Sequence, residues 1–133
     1  MKCMLDTNIC IYLIKRKNPK ILAYLKKHAI GEVGISSITL AELQYGVANS
    51  NYIQRNREAL HEFILPLEIA DFDEKVAEVY GNVRANLEKA GTPIGSMDML
   101  IGSHAMSLGV TLVSNNTRGF NRIKGLKVVD WTA

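Results

Sequence analysis

Three carboxylates stand among apolar neighbours, where an acid needs a reason. Asp6 follows the run Cys3-Met4-Leu5 and precedes two small polar residues, Thr7 and Asn8. Glu42 has Leu40 and Leu43 close around it, and Asp98 is the only charge between Ile94 and Gly102. Each has an ordinary explanation. Asp6 could close an Asx turn or cap a helix, Glu42 could be a solvated helix residue, and Asp98 could complement a helix dipole. The last fits less readily, because two methionines flank Asp98 and a buried carboxylate needs a partner or a cation. Two unit charges ~4 Å apart interact by about 4 kcal/mol at an effective dielectric of about 20. If the three acids meet, one takes a proton or a cation sits between them. Hard oxygen donors with only 3 histidines in the chain favour magnesium or manganese over zinc. Carboxylate-held magnesium suits phosphodiester hydrolysis, since it lowers the pKa of an attacking water and neutralises phosphate charge.

Bringing such residues together requires a frame. A short buried run ending in Asp6 reads as a parallel strand that delivers its carboxylate to the carboxyl edge of a sheet, where open α/β folds place ligands. Ile9 to Ile14 reads as a helix closed by Lys15-Arg16-Lys17, and Asn18-Pro19 starts a second helix that Gly31 stops. Val33 to Ile35 is the second strand. Ser36 or Ser37 then caps a helix through Leu40, Leu43 and Val47. Tyr52 to Leu65 forms a fourth helix and Pro66 to Ala70 a third strand. Asp73 caps a long helix burying Val76, Val79, Tyr80, Val83 and Leu87. The breaker Gly91-Thr92-Pro93-Ile94-Gly95 leads into a helix from Ser96 to Ser107, ended by Gly109. Val110 to Val113 and Lys127 to Val129 complete the strands. Alternation of this kind predicts an α/β fold with a mostly parallel sheet and right-handed crossovers.

The 133 residues suit one domain, 1–133, and 47% hydrophobic with 22% charged is ordinary globular composition. The net charge of +3, from 16 basic and 13 acidic residues, permits nucleic-acid binding without demonstrating it. Cys3 and Cys10 make no disulfide framework and are expected as core thiols. With no apolar leader or spanning run, a cytoplasmic protein without membrane contact is expected.

Four ordered blocks together carry a resemblance. They are Met4-Leu5-Asp6-Thr7-Asn8, Ser36-Ser37-Ile38-Thr39-Leu40-Ala41-Glu42-Leu43, Pro93-Ile94-Gly95 with Asp98, and Leu112-Val113-Ser114-Asn115-Asn116-Thr117-Arg118. The chain resembles the PIN-domain ribonucleases and, more narrowly, the VapC toxins of bacterial type II toxin–antitoxin pairs. That resemblance implies an α/β/α sandwich around a central sheet and a magnesium-dependent endoribonuclease that blocks translation. Structured RNA, notably the tRNA anticodon stem-loop, is the implied substrate, and a VapB-type antitoxin the implied partner. A homodimer through the third and fourth helices is implied as well. On the matching positions Asp6, Glu42 and Asp98 hold the metal, Mg2+ or Mn2+, and Asn116 completes the catalytic set. Thr7, Ser37 and Asn115 support the site, and Asn8 braces the first turn. Two departures matter: Asn116 stands where many PIN domains have an acid, and Gly119 where close relatives often have glutamate. One firmly held metal is therefore expected, with the second left open.

Other signals lead elsewhere or nowhere. His61-Glu62 begins a zinc-protease motif, but position 65 is leucine. His104 reads as a packed or hydrogen-bonded histidine rather than a ligand. Most basic residues read as solvated, whereas Arg118 and Arg122 follow the expected active-site turn and are expected to meet RNA phosphates. Tyr12 and Tyr45 form no base-stacking series. Two further readings remain open from residues alone. One is a non-catalytic RNA- or protein-binding module, with Gly119 marking decay of the site. The other is a small phosphatase, although Asn8 replaces the second aspartate that haloacid-dehalogenase-like enzymes use.

Overall fold

The computed structural model describes residues 1–133. Five parallel strands form one sheet in the order β3-β2-β1-β4-β5. They are β1 (Cys3–Leu5), β2 (Val33–Ser36), β3 (Glu68–Ala70), β4 (Thr111–Val113) and β5 (Val128–Val129). The helices are α1 (Thr7–Lys15), α2 (Pro19–Lys26), α3 (Ser37–Ala48), α4 (Ile53–Ile64), α5 (Glu74–Lys89), α6 (Ser96–Leu108) and α7 (Thr117–Phe120). None is long and apolar enough to cross a membrane.

Side chains alternate across the sheet as strand geometry requires. Cys3 and Leu5 of β1 face a core with α1, α2, α3 and α4, through Ile9, Ile21, Leu43 and Leu60. Met4 faces the opposite core with α5 and α6, through Leu87, Met99 and Ile101. The two cores make the α/β/α layering. Cys3 and Cys10 are buried and unpaired as expected; burial pushes the Cys3 thiol up to about 11.

Sequence signals and observed boundaries agree closely where a cap is present. Asp73 accepts from the Val76 amide at the start of α5, and Ser36 from the Ile38 amide at the start of α3. Arg16 ends α1 with φ 53°, its N–H returning to the Leu13 carbonyl. That conformation costs a non-glycine residue about 1–2 kcal/mol. Gly109 adopts the same left-handed form (φ 67°) without that cost and turns the chain from α6 into β4. One element was not foreseen. The four-residue α7 is too short to show helical periodicity and is anchored by Phe120, which is fully buried.

Candidate active site

The strand order reverses between β1 and β4, because β1, β2 and β3 run outward one way and β4 and β5 the other. Such a switch point opens a crevice beyond the carboxyl ends of the two strands. Leu5 pairs with Val113, so the next residues, Asp6 and Ser114, leave the sheet side by side.

Asp6 is the helix cap that its ordinary explanation foresaw, and it also reaches the crevice. Its Oδ1 accepts from the Ile9 amide at 3.0 Å and caps α1, while the residue is only 4% exposed and lines the crevice. Burial raises its pKa above the ordinary value. Hydrogen bonds from Ser114 and Ile9 oppose the shift, and the charges of Asp98 and Glu42 add to it. Glu42, half-buried on α3, accepts at Oε1 from the Thr7 hydroxyl at 2.6 Å. Asp98 lies in the first turn of α6, and its Oδ2 accepts from Asn116 Nδ2 at 3.2 Å. Its pKa is raised by burial, with Asn116 opposing and Glu42 adding.

All three acids line one cleft of ≈ 710 Å³, and no lysine, arginine or histidine lines it with them. The donor set is oxygen only. No three His, Cys, Asp or Glu side chains lie close enough to share one ion directly, and Glu42 is turned toward Thr7. That arrangement still fits magnesium, which keeps several waters and takes one or two carboxylates together with substrate phosphate. It does not fit a structural zinc cage, which closes on nitrogen and sulfur ligands.

The remaining expected residues divide. Thr7 orients Glu42, and Asn116 binds Asp98 while its Oδ1 accepts from the Gly119 amide at 3.2 Å. Asn8 lines the cleft but is exposed and makes no hydrogen bond. The first turn is braced by Asp6 instead, because the cap of α1 falls two residues earlier. Ser37 is turned to the Phe72 amide, at 3.1 Å, and Asn115 donates to the Tyr12 hydroxyl at 3.2 Å. Both therefore hold neighbouring segments rather than line the cleft. Arg118 is exposed, and Arg122 donates to the Pro93 carbonyl at 2.8 Å. His104 is fully buried, its Nδ1 2.8 Å from Ser36 Oγ, as expected of a packed residue.

Two contributors lacked a sequence signal. Ser114, fully buried, leaves β4 beside Asp6, opposes the rise of its pKa, and accepts from the Asn116 amide at 2.9 Å. Thr39, also fully buried, lies 3.4 Å from the Thr7 hydroxyl. Ser114 could have been found by asking which residue leaves the strand beside Asp6.

Fold and cleft together define a class, and a family model described as PIN domain matches residues 3–126. The chain is 45% identical over 131 residues to ribonuclease VapC2 of Haemophilus influenzae, covering 98% of both. It is 40% identical over 132 residues to the tRNA(fMet)-specific endonuclease VapC of Shigella flexneri, covering 99% of both. A chain in the structure of DNA-bound VapBC from Salmonella typhimurium superposes with TM-score 0.94 at 43% identity, over 98% of each. The chain belongs to the PIN-domain family and, within it, to the VapC ribonucleases of VapBC toxin–antitoxin systems.

Proposed function

We propose that the protein is a toxin that cuts structured RNA by metal-assisted phosphodiester hydrolysis at the acidic cleft. The observation that carries this reading is the meeting of Asp6, Glu42 and Asp98 in a cleft lined by no cation. Burial first, and the neighbouring acids after it, raise the pKa of Asp6 and Asp98, and the absence of any lysine, arginine or histidine from the lining leaves the site short of positive charge. A Mg2+ or Mn2+ ion would relieve that shortage, and when bound would lower the pKa of an attacking water and neutralise the phosphate.

Each residue has a task that follows from its contacts. Asp6 is fixed by the α1 cap, Thr7 aims Glu42, and Asn116 steadies Asp98. Arg118, exposed two residues beyond Asn116, meets a phosphate of the RNA. Gly119 takes part in the site through its bond to Asn116, which favours a working enzyme over a decayed binding module. The endonuclease of Shigella flexneri is named for tRNA(fMet), so initiator tRNA, cut in its anticodon stem-loop, is the substrate we assign. A VapB-type antitoxin is the inhibitor. A homodimer would cover the apolar surface at Tyr45, Tyr52 and Ile53, which are 69%, 68% and 42% exposed on or beside α3 and α4.

The test is digestion of total cellular RNA by antitoxin-free protein, with magnesium, manganese or chelator. Discrete fragments that disappear with chelator are expected. Intact RNA from folded protein under both metals would overturn the reading.

A further inference from the structure

A second concavity, of ≈ 770 Å³, lies between the end of α5 and the segment that follows α7. Asn82, Asn86 and Lys89 line it from α5, and Asn121, Arg122 and Lys124 from the other side. No aspartate or glutamate lines it. The chain's ion pairs are Met1–Glu68, Lys2–Glu32 and Arg84–Glu88, so all three cations of the groove are uncompensated. Lys89 also complements the C-terminal end of α5, but that role does not account for Arg122 and Lys124 across the groove.

Position links this groove to the acidic cleft. Asn116 touches Asp98, and Arg122, six residues on, touches Pro93 in the loop that leads into α6. At helical rise those six residues span roughly 9 Å. One short segment therefore contacts the acidic site at one end and the groove at the other, with exposed Arg118 between them.

We propose that this groove binds the phosphodiester backbone of the RNA beyond the scissile bond. Lysine and arginine neutralise phosphates there, while the three amides donate to phosphate oxygens or ribose hydroxyls without selecting a base. The proposal rests on the ribonuclease reading and assigns it a second contact.

The test is equilibrium binding of initiator tRNA transcript in an Asp98→Asn background, so that the RNA stays whole. Lys89→Ala/Lys124→Ala is compared with Lys20→Ala/Lys26→Ala, which removes the same charge from α2. The groove pair should weaken binding about tenfold or more and lower the slope of log K against log salt by about 1.5. The α2 pair should change neither, and an oligonucleotide just long enough to fill the acidic cleft should bind all proteins alike. Equal slopes for the two pairs would overturn the proposal, as would an equal loss on the short oligonucleotide. Loss confined to antitoxin binding would assign the groove to the protein partner and likewise overturn it. Failure of the ribonuclease reading shows separately, as a wild-type protein that cuts no RNA.

Discussion

Asn116 Nδ2 donates to Asp98 Oδ2 across 3.2 Å, and the Oδ1 of the same carboxamide accepts from the Gly119 amide. An aspartate at this position could keep the second bond but not the first. A Cβ at Gly119 would fall 2.8 Å from Asn116 Nδ2, so a side chain there would press on the carboxamide that holds Asp98.

Asn116→Asp should place a second carboxylate against Asp98. We expect a lower Tm in chelator than wild type, with the gap narrowing as magnesium is added. Gly119→Ala should push the carboxamide aside and reduce cleavage without loss of fold. Thermal scans at several magnesium concentrations, beside tRNA cleavage rates, check both; a magnesium-independent gap would count against the first.

Asp6→Asn separates catalysis from folding. The raised pKa of Asp6, caused first by burial, means that its ionised form costs the native state stability. That cost is absent below the ordinary carboxylate pKa and fully present above the raised one, so metal-free stability falls as pH rises through this interval. Asparagine retains an oxygen for the α1 cap. The variant should be at least as stable as wild type in chelator at neutral pH, gain no stability from magnesium and cleave nothing. A clear loss of metal-free stability would show that Asp6 acts chiefly as a structural residue.

Thr7→Val keeps the shape of the side chain but removes the hydroxyl that aims Glu42 and touches Thr39. A hydrogen bond to a charged group contributes about 1.5–3 kcal/mol, so kcat/KM should fall about tenfold or more. Thr7→Ser should restore it. Equal activity of the valine and serine variants would remove Thr7 from the account.

His104 ties the helix that carries Asp98 to Ser36, the cap of the helix that carries Glu42. Burial lowers its pKa, with Asp73 and Asp71 opposing. The neutral form is the folded one, so stability should hold above about pH 6.5, the unfolded value, and decline below it as only the unfolded chain takes the proton. Chemical denaturation between pH 7 and 5 should show this decline in wild type and a smaller one in His104→Gln. Parallel curves would contradict it.

Much of this architecture was legible because capping and alternation are local. Asp73, Ser36 and Gly109 mark helix ends that recur in the structure, and Cys3-Met4-Leu5 reads as a buried strand at once. Strand edges were less sharp: Pro66 to Ala70 narrows to Glu68–Ala70, and Val110 to Val113 to Thr111–Val113. Which residues extend a ladder depends on the neighbouring strand, not on their own type. The three acids stood out by type and surroundings. Their meeting depends on the reversal of strand order at β1 and β4, which no local pattern encodes. Ser114 was missed for the same reason. The turns of Ser37 toward Phe72 and Asn115 toward Tyr12 depend on contacts between residues 35 and 103 positions apart.

The most direct measurement is cleavage of initiator tRNA by purified wild-type protein and by Asp98→Asn, each with magnesium and with chelator. One discrete cut is expected, made only by wild type with metal, from two proteins that unfold at similar temperatures. Cleavage that survives both Asp98→Asn and chelator would contradict it, because the acidic cleft would then not be where the RNA is cut.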